Sequence, residues 1–230
     1  MLSDKLFFWL FQSAPDRIVA LLEGMPEDAK GCRFTAPVLK EREYRRDGLF
    51  LPPSGREDLP AVILEAQMAA DPGFLRRLYA EAARLLQQEP EIGDWCVVVI
   101  TPSRQLNFGA VEAVAEFVER RVRWVELEPG CWEEPVPLLQ RVLGLLLQPE
   151  LEIVGRTREL REQALATEPG EGIDELIAAI LVTRFPSRSI PEICAMGGIT
   201  VEEFSQSRIY REIVGIGEAR GLALGEARGK

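Results

Sequence analysis

The sequence predicts an α/β core, built as helix, mixed central sheet and helix, with a helical region behind it. Three observations carry this expectation. WCVVVITPS is a continuous apolar, β-branched run of the kind that forms a strand buried on both faces. Helical and strand-like segments follow one another through the first 130 residues or so, giving an α/β or α+β core and not a repeat array. From Pro135 onward the pattern turns helical. The expected division is residues 1–148 for the core and 149–230 for a helical C-terminal region with a charged tail.

In chain order, Ser3 can cap a first helix running to about Phe11, and PDRIVALLEG opens on Pro15 and closes at Gly24 as a short second one. Three strand candidates follow the loop MPEDAKG: CRFTAPVL, EYRRDGLFLP and AVILEAQ. Pro, Gly, Ser and Asp separate them, and the last two should pair as a hairpin. DPGFLRRLYAEAARLLQQE is the best-marked helix, with Asp71 expected as N-cap, Pro72 in first position, and Phe74, Leu75, Leu78, Tyr79, Ala82 and Leu85 at helical spacing. WCVVVITPS is then the central strand, NFGAVEAVAEFVERR a helical turn or two, and VRWVELEP a further strand. PVPLLQRVLGLLLQ, LEIVGRTRELREQAL, DELIAAILVTRF and a stretch from Thr200 through Tyr210 complete the helical part. The tail repeats GEARG at 217–221 and 225–229; its Gly215 and Gly217 follow a helix and not a strand, so a charged helical tail is expected there in preference to a phosphate loop.

Composition narrows the chemistry. With 230 residues, 47% of them hydrophobic, the chain can bury a sizeable core. No run approaches the roughly 20 apolar residues of a membrane span, and MLSDKLFFWLF lacks a basic leader and small-residue cleavage site, so a cytoplasmic protein with no membrane partner is expected. Cys32, Cys96, Cys131 and Cys194 have no C-x-x-C spacing and read as buried thiols. There is no histidine, which removes the usual general base and every His-ligated metal site and leaves carboxylates to carry any chemistry. A net charge of −10 speaks against a dedicated high-affinity nucleic-acid binder, although a local groove could draw on Arg42, Arg45, Arg46, Arg76, Arg77, Arg120, Arg121 and Arg123.

RRDGLFLPPSGREDLPAVILEAQ sets two carboxylates into apolar strand candidates. Strand period places Glu65 and Gln67 on one face with Ile63, and Asp47 on one face with Leu49. Antiparallel pairing would bring Asp47 beside Glu65. Two such carboxylates repel unless a cation lies between them. A hard divalent ion, Mg²⁺ or Mn²⁺, answers that need, since it takes one or two carboxylates and leaves room for waters and substrate phosphates. Such a centre would activate water against a phosphodiester without a histidine, and Gln67 would position that water.

In its order of helix, strand with Asp47, strand with E-x-Q at 65–67, and helix, the chain resembles the PD-(D/E)XK nuclease superfamily, whose core is restriction-endonuclease-like. The E-x-Q variant, SDKLFFWLFQ, RRDGLF and VVVITPSR together are similar to the Rpn family of recombination-promoting nucleases and transposases, in a branch described only by a domain of unknown function. The resemblance covers residues 3 to 130 and, more loosely, RFPSRSIPEICAMGGITVEEFSQSRIYREI. It implies that Asp47 and Glu65 are metal ligands, that Ala66 lends its carbonyl, that Gln67 stands where the family has its catalytic lysine, and that Asp4 is a further acidic participant. It also implies a DNA substrate, Mg or Mn as cofactor, and a homodimer for cutting two strands.

Blander readings stand beside these. Asp47 with Gly48 could open a turn, Glu65 could pair with Arg46, and Asp4 could simply favour the positive end of the first helix. A nuclease fold without activity, kept as a binding module, is the alternative function.

Overall fold

A computed structural model describes residues 2–22, 25–26, 30–35, 38–39, 44–45, 47–56, 58–132, 135–167 and 172–206, with the backbone alone for 2–5, 38–39 and 44–45. The chain divides into two compact units, Met1–Leu147 and Gln148–Lys230.

The first unit is a mixed sheet between helices. Helix α1 (Leu2–Ser13) leads into a 3-10 segment, Pro15–Leu21. The strands are β1 (Arg33–Thr35), β2 (Val38–Leu39), β3 (Tyr44–Arg45), β4 (Gly48–Leu51), β5 (Ala61–Ala66), β6 (Trp95–Thr101) and β7 (Val122–Glu126). Between them lie α2 (Phe74–Gln88) and α3 (Ala115–Arg121), and α4 (Leu138–Leu143) follows β7. The sheet order is β1-β4-β5-β6-β7, antiparallel from β1 to β5 and parallel from β5 to β7, while β2 and β3 form a separate two-stranded ribbon. Two expected strands are therefore each broken in two. CRFTAPVL gives β1 and β2, which lie in different sheets, and EYRRDGLFLP gives β3 and β4, with a bend at Asp47 before β4.

Register assigns the two faces. Leu49, Ile63, Val97 and Val122 stand in one row across four strands. They pack with Phe74, Leu75, Leu78 and Leu85 of α2 and with Phe117 of α3. The opposite face carries Phe50, whose ring meets Phe11 of α1 at 5.3 Å and Phe34 at 5.2 Å. Burying side chains of this size is worth about 1.5–3 kcal/mol each, so the two helical layers hold the sheet chiefly through them. Val97, Val98, Val99 and Ile100 are wholly buried, as a central strand requires.

Helix α2 starts later than its sequence suggests. Gly73 and not Asp71 is the N-cap. Asp71 instead accepts the Gly73 N–H on its carboxylate at 2.8 Å and the Phe74 N–H on its carbonyl at 3.0 Å, a local turn that consumes Pro72 and Gly73 before the helix begins.

The second unit is helical: α5 (Glu150–Thr167), α6 (Ile173–Arg184), α7 (Ile190–Gly197) and α8 (Val201–Gln206). Leu176 through Leu181 are all buried, so α6 is its central helix. Helix α7, which the hydrophobic pattern alone does not announce, is opened by a reciprocal cap between Ser189 and Glu192. The GEARG repeat and the Gly215–Gly217 pair lie outside the described residues, as does the expected helix beyond Gln206. None of the described helices is long and apolar enough to cross a membrane. Among the thiols, Cys96 and Cys194 are buried, but Cys32 and Cys131 are only half-buried, which corrects the expectation that all four lie inside.

Candidate active site at the end of the central sheet

Three parallel strands end on one edge of the sheet, and β4, running the other way, begins there. The register Gly48↔Leu64, Leu49↔Ile63 and Phe50↔Val62, continued by one residue, sets Asp47 opposite Glu65. A direct contact fixes it: the Ala66 N–H donates to Asp47 Oδ2 at 2.7 Å. Asp47 and Glu65 thus share the face of Leu49 and Ile63, just past the last apolar row, and both are half-buried.

The pairing also orients the main chain. Gln67 N–H donates to the Ile100 carbonyl at 2.9 Å, so Gln67 and Glu65 turn their backbone groups toward β6. Successive strand residues alternate, so Ala66 turns both its N–H and its carbonyl toward Asp47. Register thus sets two carboxylates, Asp47 and Glu65, in facing positions at this edge, with the Ala66 peptide group beside Asp47. That set suits Mg²⁺ or Mn²⁺, which accept one or two carboxylates and keep waters. Among the described residues no group of three or more His, Cys, Asp or Glu is placed to hold a metal ion, so any ion here would draw its remaining ligands from the main chain, water and substrate.

Gln67 is half-buried at the same edge and donates from Nε2 to the Ala69 carbonyl at 2.6 Å. That bond anchors the amide nitrogen and leaves the amide oxygen as the group able to accept from a water.

Several sequence expectations are settled by this geometry. Asp47 does not open a hairpin turn with Gly48, because Gly48 is the first residue of β4 and lacks a positive φ. Glycine is needed there for packing: a Cβ would collide with the Phe34 ring. Asp4 lies on α1, but its side chain is outside the described residues, as is Arg46, the suggested partner of Glu65. Among the described arginines, Arg77 and Arg121 do not share a groove. Arg77 holds Asp71 at 2.6 Å beyond the end of β5, whereas Arg121 holds Asp94 at 2.7 Å before the start of β6, at the opposite edge. Arg42 and Arg46, and the side chain of Arg45, lie outside the described residues.

A third carboxylate at the same edge is not among the residues expected from sequence. Glu126, opposite Thr101 at the end of β7, accepts the Arg104 N–H at 2.7 Å and the Ser103 hydroxyl at 3.4 Å, with the Arg104 guanidinium 3.4 Å away. It is only 9% exposed. The signal was the glutamate in VRWVELE, a charged residue inside an apolar strand, as at Glu65. Glu126 ties down the segment after β6, whose far end is fixed on α2 by the Asp71 N–H to Asn107 carbonyl bond (2.9 Å) and the Leu75 N–H to Phe108 carbonyl bond (3.2 Å).

No curated protein and no solved structure matches the chain. One family model does, over residues 3–196, spanning the sheet unit and most of the described helical unit. The chain belongs to the family described as protein of unknown function (DUF2887).

Proposed function

We propose that this chain is a divalent-metal-dependent nuclease of the PD-(D/E)XK type, in its Rpn-like E-x-Q form, hydrolysing DNA phosphodiester bonds in recombination or in the service of mobile elements. The observation that carries the reading is the Asp47 carboxylate seated on the Ala66 N–H, in the register that faces Glu65. Asp47, Glu65 and the Ala66 carbonyl would hold Mg²⁺ or Mn²⁺. A bound ion of this kind lowers the pKa of water and offsets charge on phosphoryl oxygens. The chain's own residues do the rest. The Ala66 N–H fixes one oxygen of Asp47, so the carboxylate cannot swing toward solvent. The Ala69 carbonyl fixes the Gln67 amide, whose oxygen would accept a hydrogen bond from the attacking water and set its direction. Gln67 adds no positive charge, so charge stabilisation at the phosphate would fall to the ion. Two copies of the chain, as a homodimer, would cut both strands of a duplex together.

The test is plasmid nicking with Mg²⁺ or Mn²⁺. Metal-dependent nicking that disappears in an Asp47→Ala, Glu65→Ala double variant supports the site; nicking that persists in it removes the site. The uncharged Gln67 favours a second reading, a nuclease fold without activity that serves as a nucleic-acid- or protein-binding module. DNA binding with no nicking in either metal would select it.

A further inference from the structure

Strand β7 ends the sheet, so among the described residues one of its edges faces no other strand. The Leu127 N–H donates to the Thr101 carbonyl at 2.8 Å, which turns Leu127 toward β6 and, by alternation, turns the backbone groups of Val122, Trp124 and Glu126 outward. Side chains already occupy the two ends of that edge. The Glu126 carbonyl accepts from Trp132 Nε1 at 2.9 Å and Gln140 Nε2 at 2.8 Å, and the Val122 carbonyl takes a long 3.4 Å bond from the Arg123 guanidinium. The N–H and carbonyl of Trp124 have no hydrogen-bond partner among the described residues.

Beside this rung is a cavity of about 810 Å³, with Arg123 to Glu126 on one side and Leu21, Leu22, Pro137 and Gln140 among the groups lining the rest. Among the described residues its charged lining groups are Arg104, Arg123 and Glu126. Glu126 is taken by Arg104, through both the peptide N–H and the guanidinium. Arg123, exposed on the strand, has no carboxylate partner among the described residues.

We propose that the outer edge of β7 binds an extended acidic peptide segment, which adds as a short strand through the Trp124 N–H and carbonyl and pairs a carboxylate with Arg123. An open edge strand offers main-chain bonds to such a segment, and the side chains flanking the rung set its preference. Among the described residues the unmatched charge in the slot is that of Arg123, which selects acid over base. This surface is independent of the Asp47–Glu65 cluster.

The experiment uses the full chain, ¹⁵N-labelled, with two capped hexapeptides as probes, one alternating valine and glutamate and the other valine and lysine. The expected result is that the acidic peptide slows hydrogen exchange of the Trp124 amide about tenfold while the lysine peptide leaves it unchanged. Arg123→Ala should weaken the acidic peptide, and Arg123→Glu should reverse the preference. Arg123 is exposed, so neither change disturbs the core. No slowing by either peptide, or slowing indifferent to peptide charge and to the Arg123 variants, would overturn the proposal. So would protection of the Trp124 amide by single-stranded oligothymidylate and not by the acidic peptide.

Discussion

Asp47 and Glu126 make the same bond at the same edge of the sheet and end in opposite situations. Each carboxylate accepts a main-chain N–H at 2.7 Å, from Ala66 in one case and Arg104 in the other. Glu126 is nearly buried, with a serine hydroxyl and a guanidinium on its remaining lone pairs. Asp47 is half-buried, with a second carboxylate in the facing register position. A backbone clamp is therefore common to both and decides nothing about chemistry. What differs is burial and the facing residue: a carboxylate stands opposite Asp47, whereas a loop hydroxyl and a guanidinium lie against the nearly buried Glu126.

The comparison can be broken by removing each clamp. Glu126→Ala leaves the Arg104 N–H and Ser103 hydroxyl in a nearly dry site without their acceptor, and should cost about 2–3 kcal/mol in urea unfolding. Loss of the Ala66 N–H bond in Asp47→Ala should cost less, about 1 kcal/mol, because water can reach the freed N–H. Equal losses would mean that Asp47 is as structural as Glu126. The segment joining the two sites gives an intermediate effect. Gly109 has φ +94° and its Cβ would collide with the Pro72 carbonyl, so Gly109→Ala should destabilise by about 1–3 kcal/mol and loosen the start of α2. Unchanged thermal stability in that variant would remove the proposed tie between loop and helix.

The smallest effect concerns acid. The Arg77 guanidinium and then the Gly73 N–H hold the Asp71 carboxyl below its ordinary 3.8, and Arg121 holds Asp94 low in the same way. A lowered folded pKa stabilises the protein above the unfolded value, and that contribution disappears as pH falls through the folded one. The melting temperature should therefore begin to drop near pH 4 and continue to fall below it. Asp71→Asn should make the drop shallower, and a melting curve identical to that of the parent between pH 4 and pH 2 would show that the Arg77 contact is without weight.

Much of this was legible from side-chain periodicity. The central strand, the α2 face and the Asp47–Glu65 register follow from alternation along EYRRDGLFLP and AVILEAQ, since a buried face fixes register strongly. The separation of β1 from β2, and of β3 from β4, into different sheets was not legible, because the chain through both pairs is uniformly β-prone. Helix α7 was readable only from its cap, Ser189 to Glu192, since SRSIPEICAMGG is short and carries proline within its first turn. VRWVELE marks Glu126 as a charge in an apolar strand, but its role is not legible locally, because its partners Ser103 and Arg104 come from a loop 22 to 23 residues away in sequence.

The central claim is that Asp47 and Glu65 hold a divalent ion. Mn²⁺ titration of the full chain, followed by calorimetry and by the electron paramagnetic resonance of free Mn²⁺, tests it most directly. The account predicts a site displaced by Mg²⁺ and lost in both Asp47→Asn and Glu65→Gln, each of which keeps shape and removes charge. Mn²⁺ binding of unchanged strength in the double variant, or no binding by the parent chain at millimolar Mn²⁺, would contradict it.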